Sequence, residues 1–149
     1  MTDIIENLVH LLDEFIENTE ITSSTLITED GLIIAANDTQ NFEDESNSMD
    51  IGAIAASVLA MAERGISIFN AAKRLEQIKI DGGLNHNIDE DFSIMISRIY
   101  SNILLQVIIP KKISIGLIHF EINKITNKIK NLINENTKRE LFSRIGSLT

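Results

Sequence analysis

The chain has no cysteine and no tryptophan, and only one proline and one tyrosine among its 149 residues. Without cysteine it can form no disulfide, no thiolate metal site and no cysteine nucleophile. Aromatic residues make up 5% of the chain, and acids outnumber bases for a net charge of -9. That balance argues against a nucleic-acid partner, because affinity for phosphate backbones comes largely from Lys and Arg. The opening Met1-Thr2-Asp3-Ile4-Ile5-Glu6 lacks the basic start of a signal peptide. No uninterrupted apolar run approaches the ~20 residues of a membrane span. The resulting expectation is a cytoplasmic protein with no direct membrane insertion.

Chemistry is sparse as well. His10, His86 and His119 fall on different predicted elements with no ligand spacing. Asp89, Glu90 and Asp91 lack the regular spacing and the glycine of a calcium loop. Like Glu43-Asp44-Glu45, they read as solvated acids. Gly82-Gly83 has no following Lys-Ser or Lys-Thr to cradle a phosphate. Asn37-Asp38-Thr39 matches a glycosylation acceptor in form only. No serine sits in a strained elbow, and no nucleophile is paired with a base. The expectation is a protein that is not an enzyme and needs no metal or cofactor.

What the chain does have is pattern. Its 44% apolar content suits one folded domain. Across residues 3–18, Ile5, Leu8, Leu12, Phe15 and Ile16 recur at helical spacing, with Thr2 or Asp3 available as cap. Strands at 23–29 and 32–37 flank Asp30-Gly31, and Asp-Gly predicts a two-residue type I′ turn with positive φ at both positions. That turn pairs Ile27 with Ile34 and Leu26 with Ala35, leaving apolar residues on both faces of the sheet. Residues 37–49 read as an acidic loop.

A helix is predicted from 50 to 72, with Ile51, Ile54, Ala55, Val58, Leu59 and Ala62 as its core stripe. Ala53, Ser57, Ala60 and Met61 lie beside that stripe, and Gly65 should loosen the helix. The segment 75–80 alternates, placing Glu76, Ile78 and Ile80 on one face, and a polar loop spans 84–91. Strands at 92–99 and 103–109 follow, the second nearly all apolar and closed by Pro110. Ser114 can cap a long helix along which Ile115, Ile118, Ile122, Ile125, Ile129, Leu132 and Ile133 recur at helical spacing. Thr137-x-x-Glu140 has capping-box spacing for a short last helix. The order α-β-β-α-β-β-β-α predicts an α+β domain over 1–134 with a five-stranded antiparallel sheet, followed by an extension at 135–149.

In this order, with Leu26-Ile27-Thr28-Glu29-Asp30-Gly31-Leu32-Ile33-Ile34-Ala35 before the small-residue helix Ile54 to Arg64, the chain resembles the roadblock family. That family includes roadblock-type dynein light chains and prokaryotic regulators of small GTPases. The resemblance implies a sheet between the middle helix and the two terminal helices. It also implies a homodimer formed by the middle helix and third strand, with Ala53, Ser57, Ala60, Met61, Arg64, Glu76, Ile78 and Ile80 at the interface. An apolar edge strand left unpaired is an aggregation liability, which fits such pairing.

The functional expectation is a homodimeric platform for a Ras-like small GTPase, regulating its nucleotide state or localisation. A light-chain-like scaffold subunit and a small-molecule sensor are the alternatives. Arg64, Arg98 and Arg144 are the arginines available as fingers to a GTPase, each with an ordinary surface reading beside it.

Overall fold

The computed structural model describes residues 4–38, 45–69, 75–82 and 91–133. Helix α1 (Ile4–Thr19) leads into β1 (Ser23–Thr28) and β2 (Ile33–Asp38), and α2 (Glu45–Phe69) crosses to β3 (Gln77–Asp81). The chain then forms β4 (Phe92–Tyr100), β5 (Ile103–Pro110) and α3 (Ile115–Leu132). Five strands make one sheet in the order β2-β1-β5-β4-β3, every neighbouring pair antiparallel. The fold is the α+β arrangement that the order of elements predicts.

Alternation along the strands sends side chains to two cores. On one face Leu26, Leu105, Val107 and Met95 meet Leu8, Leu12 and Phe15 of α1 and Ile118, Ile122, Ile125 and Ile129 of α3. Leu8 and Leu12 have no exposed surface, and burying each contributes roughly 1.5–3 kcal/mol. On the other face Ile27, Ile96 and Leu104 meet only Ala55 and Leu59 among the buried side chains of α2. So α2 is bound to the sheet by far less apolar contact than the terminal helices are.

Several sequence expectations change. The hairpin is not type I′: Gly31 has φ +92, whereas Asp30 is not among the positive-φ residues. The Gly31 N–H donates to the Thr28 carbonyl at 3.0 Å, and the Thr28 N–H donates to the Leu32 carbonyl at 2.9 Å. Glu29-Asp30-Gly31 is therefore a three-residue loop with its left-handed residue at the end, the bulge-forming alternative to the two-residue turn. The Thr28 hydroxyl also accepts the Leu32 N–H at 3.1 Å. The extra residue shifts the register between Leu26 and Ile27, so Ile27 pairs with Ile33 while Leu26 keeps Ala35. Ile34 consequently joins the core under α1 and α3 instead of sharing a face with Ile27.

Next, α2 starts at Glu45, inside the stretch predicted as loop, and runs through Gly65 unbroken to Phe69. Ile54, expected in the core, is 62% exposed because only the ridge through Ala55 and Leu59 faces the sheet. Finally, the apolar stretch Gly52–Phe69 does have the length and composition to cross a membrane, and only 17% of it is buried. Its two charges, Glu63 and Arg64, interrupt the run by eye without lowering its average enough. Ser114 stands at the N-cap of α3 as expected, but its side chain makes no capping hydrogen bond, and Ile115, expected in the apolar stripe, is 43% exposed in the first turn. The first-helix cap at Thr2 or Asp3, the end of the middle helix at 70–72, the loop at 84–90 with His86, and the extension with Arg144 lie outside the described residues.

Candidate functional site

The residues that stand out are on α2. Ile54, Met61 and Ile68 are 62%, 73% and 74% exposed. Seven residues are nearly two helical turns, so these three form one ridge, about 21 Å long. Ala53, Ser57, Ala60 and Arg64 are also exposed along it, and the Ser57 hydroxyl donates back to the Ala53 carbonyl at 2.8 Å. That bond consumes the hydroxyl's proton and leaves the ridge surface small and weakly polar. An exposed row of large apolar side chains of this kind is a candidate contact surface.

Beside it lies β3, which among the described residues is an edge strand paired on one side only. Glu76 stands exposed just before it, Ile78 is half-buried against the core under α2, and Ile80 is 39% exposed. Cross-strand pairing puts Ile78 opposite Ile96 and Ile80 opposite Ile94, so both isoleucines project to the α2 side. The opposite side of β3 is polar: the Ser93 hydroxyl donates to Asp81 Oδ1 at 2.6 Å, and the Gln77 amide donates to Ser97 Oγ at 3.0 Å.

Two features hold α2 in place. At its first described turns, Gly52 lies against the hairpin loop so closely that a Cβ on it would sit 2.3 Å from the Gly31 carbonyl oxygen. Further along, the Glu63 carboxylate accepts from Arg98 Nη2 at 2.6 Å and from the Leu75 N–H at 3.1 Å. Arg98 also donates to the Leu75 carbonyl at 3.2 Å, to the Ser101 carbonyl at 2.8 Å, and to the Glu29 carboxylate. One guanidinium thus gathers the hairpin loop, α2, the approach to β3 and the β4–β5 turn. Its forked donors suit that work in a way a lysine ammonium does not.

Neither a protein-family model nor a curated protein sequence matches this chain. Solved structures do. An MglB structure with a tetrameric arrangement superposes with a TM-score of 0.73 at 14% identity, covering 89% of this chain and 91% of that one. The gliding protein MglB from Thermus thermophilus gives 0.71 at 14% identity over 89% and 92% of the two chains. A roadblock domain from Streptomyces avermitilis gives 0.68 at 14% identity over 83% and 94%. The chain has the roadblock fold.

On the roadblock fold, Ala53, Ser57, Ala60, Met61 and Arg64 share the exposed side of α2, and Ile78 and Ile80 lie on the adjoining edge strand with Glu76 just before it. Ile78 is the exception to an exposed set, because it already serves the chain's own core. Asp30 and Gly31 do turn the hairpin, with Gly31 alone in the left-handed region. Arg98 is ruled out as a finger: its side chain is 9% exposed and its donors are engaged within the chain. Arg64 remains exposed.

Sequence reasoning missed the Gly52 contact and the Arg98 cluster. Alternation held the signal for the second, since Arg98 falls on the face of Ile94 and Ile96, where a charge must be paired. Among the described residues no group of three or more His, Asp or Glu is placed to hold a metal ion. A trough of about 640 Å³ runs between α3 and β3–β4, with His119, Asn123, Thr126 and Lys130 along its helical wall. It is open along its length, unlike the enclosed apolar pocket that a small-molecule sensor needs.

Proposed function

We propose that two copies of this chain pair through α2 and β3, and that the pair is a non-enzymatic platform for a Ras-like small GTPase. The observation that carries the pairing is the ridge of Ile54, Met61 and Ile68, which no described part of the chain covers. Antiparallel alignment of two β3 edges would join two five-stranded sheets and remove an open edge. The small side chains of Ala53, Ser57 and Ala60 would let two α2 helices approach closely. Arg64 then lies at the rim of the contact.

The GTPase half of the reading rests on what the roadblock resemblance implies, with the MglB structures as the fold neighbours that support it. On this reading the platform supplies surface, not catalytic groups, and regulates the nucleotide state or the localisation of its partner. The test is a pull-down with the small GTPases of the same cell, each loaded with GDP and with a non-hydrolysable GTP analogue. Hydrolysis and exchange rates with and without the protein then separate an activator, an exchanger and a passive tether. Retention of no GTPase in either state would overturn the reading.

A further inference from the structure

We infer that the α1–α3 face is a second self-association surface, on the side of the sheet away from α2, whose occupant is another copy of this chain. The face is electrically divided. Along α1 the exposed side chains are Glu6, His10, Glu17 and Asn18, with Glu14 partly exposed beside them and Glu20 just beyond. Along α3 they include Lys124 and Lys128, with Lys112 just ahead, while Lys130 lines the trough on the other side of the helix. The only acid on α3 is Glu121, which is half-buried in the groove between the helices.

The two ridges run side by side in opposite directions. Short turns connect α1 to β1 and β5 to α3, and β1 and β5 are antiparallel. Glu14 and Lys128 are level with each other across the groove, at 3.9 Å. A half-turn about an axis along that groove leaves position along it unchanged and exchanges left for right. It therefore sets the acidic α1 of each copy over the basic α3 of the other. Glu14 comes level with the second copy's Lys128, and Glu17 with its Lys124. The contact is isologous, each patch meeting its complement twice.

An apolar element lies at the same end of both copies. Phe120 and Leu117, at the start of α3, are 63% and 45% exposed, and the half-turn brings Phe120 level with Glu20, just past the end of the other copy's α1. An exposed aromatic beside a basic ridge would also suit an anionic membrane. The acidic α1 ridge next to it would be pressed against such a surface, which favours the second copy instead. With helices about 24 Å long and ~10 Å wide, the paired face is roughly 480 Å² per copy, below the ~800 Å² per partner of a standard interface. Association through it is accordingly weak and sensitive to salt.

This surface is independent of the α2 contact, and the test keeps the two apart. Sedimentation velocity on the full chain at low and high salt reads the assembly directly. The Met61→Asp variant removes the α2 contact, so any salt-sensitive dimer it forms belongs to the α1–α3 face. In that background Lys124→Glu with Lys128→Glu, or Glu14→Lys with Glu17→Lys, should each weaken self-association at least tenfold. Mixing the two reversed variants should restore a heterodimer, which no folding defect can mimic. The milder Lys124→Gln with Lys128→Gln should give an intermediate loss. Association that is unchanged by salt and by both reversals overturns the proposal, as does binding of anionic vesicles with no self-association. A mixture that stays unassociated overturns it too.

Discussion

The Glu63 carboxylate of α2 lies 2.6 Å from a guanidinium nitrogen of Arg98, whose side chain is 9% exposed. This contact fixes a weakly bound helix onto the sheet. With Ala55 and Leu59 its only fully buried apolar side chains among the described residues, and Val58 packed beside them, α2 has too little apolar contact to set its own position. Removing one partner of a buried ion pair costs about 3–5 kcal/mol. Glu29 and Glu63 keep side-chain exposures of 33% and 26%, so water softens that cost. Arg98→Ala is expected to lower stability by about 2–3 kcal/mol, measured by urea denaturation. Arg98→Lys should recover less than half of the loss, since one ammonium cannot serve two carboxylates and two carbonyls.

The close approach of Gly52 to Gly31 predicts opposite outcomes for two glycines of one helix. Gly52→Ala drives a methyl into a backbone oxygen at 2.3 Å, and forced overpacking of this kind costs about 1–3 kcal/mol. At Gly65 an added Cβ meets nothing within 4 Å, so Gly65→Ala should gain about 0.5–1 kcal/mol from helix propensity alone. Thermal melts of the two variants beside the parent give the signs. Equal signs would mean that α2 does not sit where the structure places it.

The cores were the most readable part of the chain. Leu8, Leu12 and Phe15, and Ile118, Ile122, Ile125 and Ile129, repeat at helical spacing because each touches the sheet, and periodicity records just that. The middle helix was harder to read. It is apolar on its core side and on its solvent side, so Ile54 was indistinguishable from Ala55 as a core residue, and the 62% exposure of Ile54 is visible only in three dimensions. The hairpin type was missed for a different reason: Asp-Gly suits both a two-residue turn and a longer one ending in glycine. Thr28, whose hydroxyl and backbone both bond Leu32, decides for the longer turn. The contact residues proposed on α2 and β3 rest on family resemblance, because a contact surface leaves no spacing signature of its own.

Acid should loosen one end of β3. Asp81 titrates below the usual aspartate range, chiefly because the Ser93 hydroxyl donates to its carboxylate, with the Lys79 ammonium nearby adding to the effect against some desolvation. A depressed folded-state pKa adds stability above the unfolded value of ~3.9, and that stability is lost as pH falls through the folded pKa. Ser93→Ala should thus be destabilised relative to the parent by a constant amount at neutral and mildly acidic pH. The gap should narrow below about pH 4. Urea midpoints across that range check it, and a gap that widens with acid would contradict the assignment.

Charge on the α2 ridge should divide the pair without unfolding the chain. Met61 is 73% exposed and touches neither core cluster, so Met61→Asp should leave the melting temperature of the single chain nearly unchanged. Ile78→Asp, by contrast, strikes a residue packed against the core under α2. It should lower stability as well as pairing, which makes Met61 the cleaner probe.

The most direct measurement is the mass of the full chain by light scattering, at a salt concentration that screens surface charge. Pairing through α2 gives twice the 16.6 kDa chain mass for the parent protein, and the single-chain mass for Met61→Asp with its helical content intact. A parent protein that stays monomeric at high concentration, or a Met61→Asp variant that pairs as well as the parent, would contradict the α2 platform.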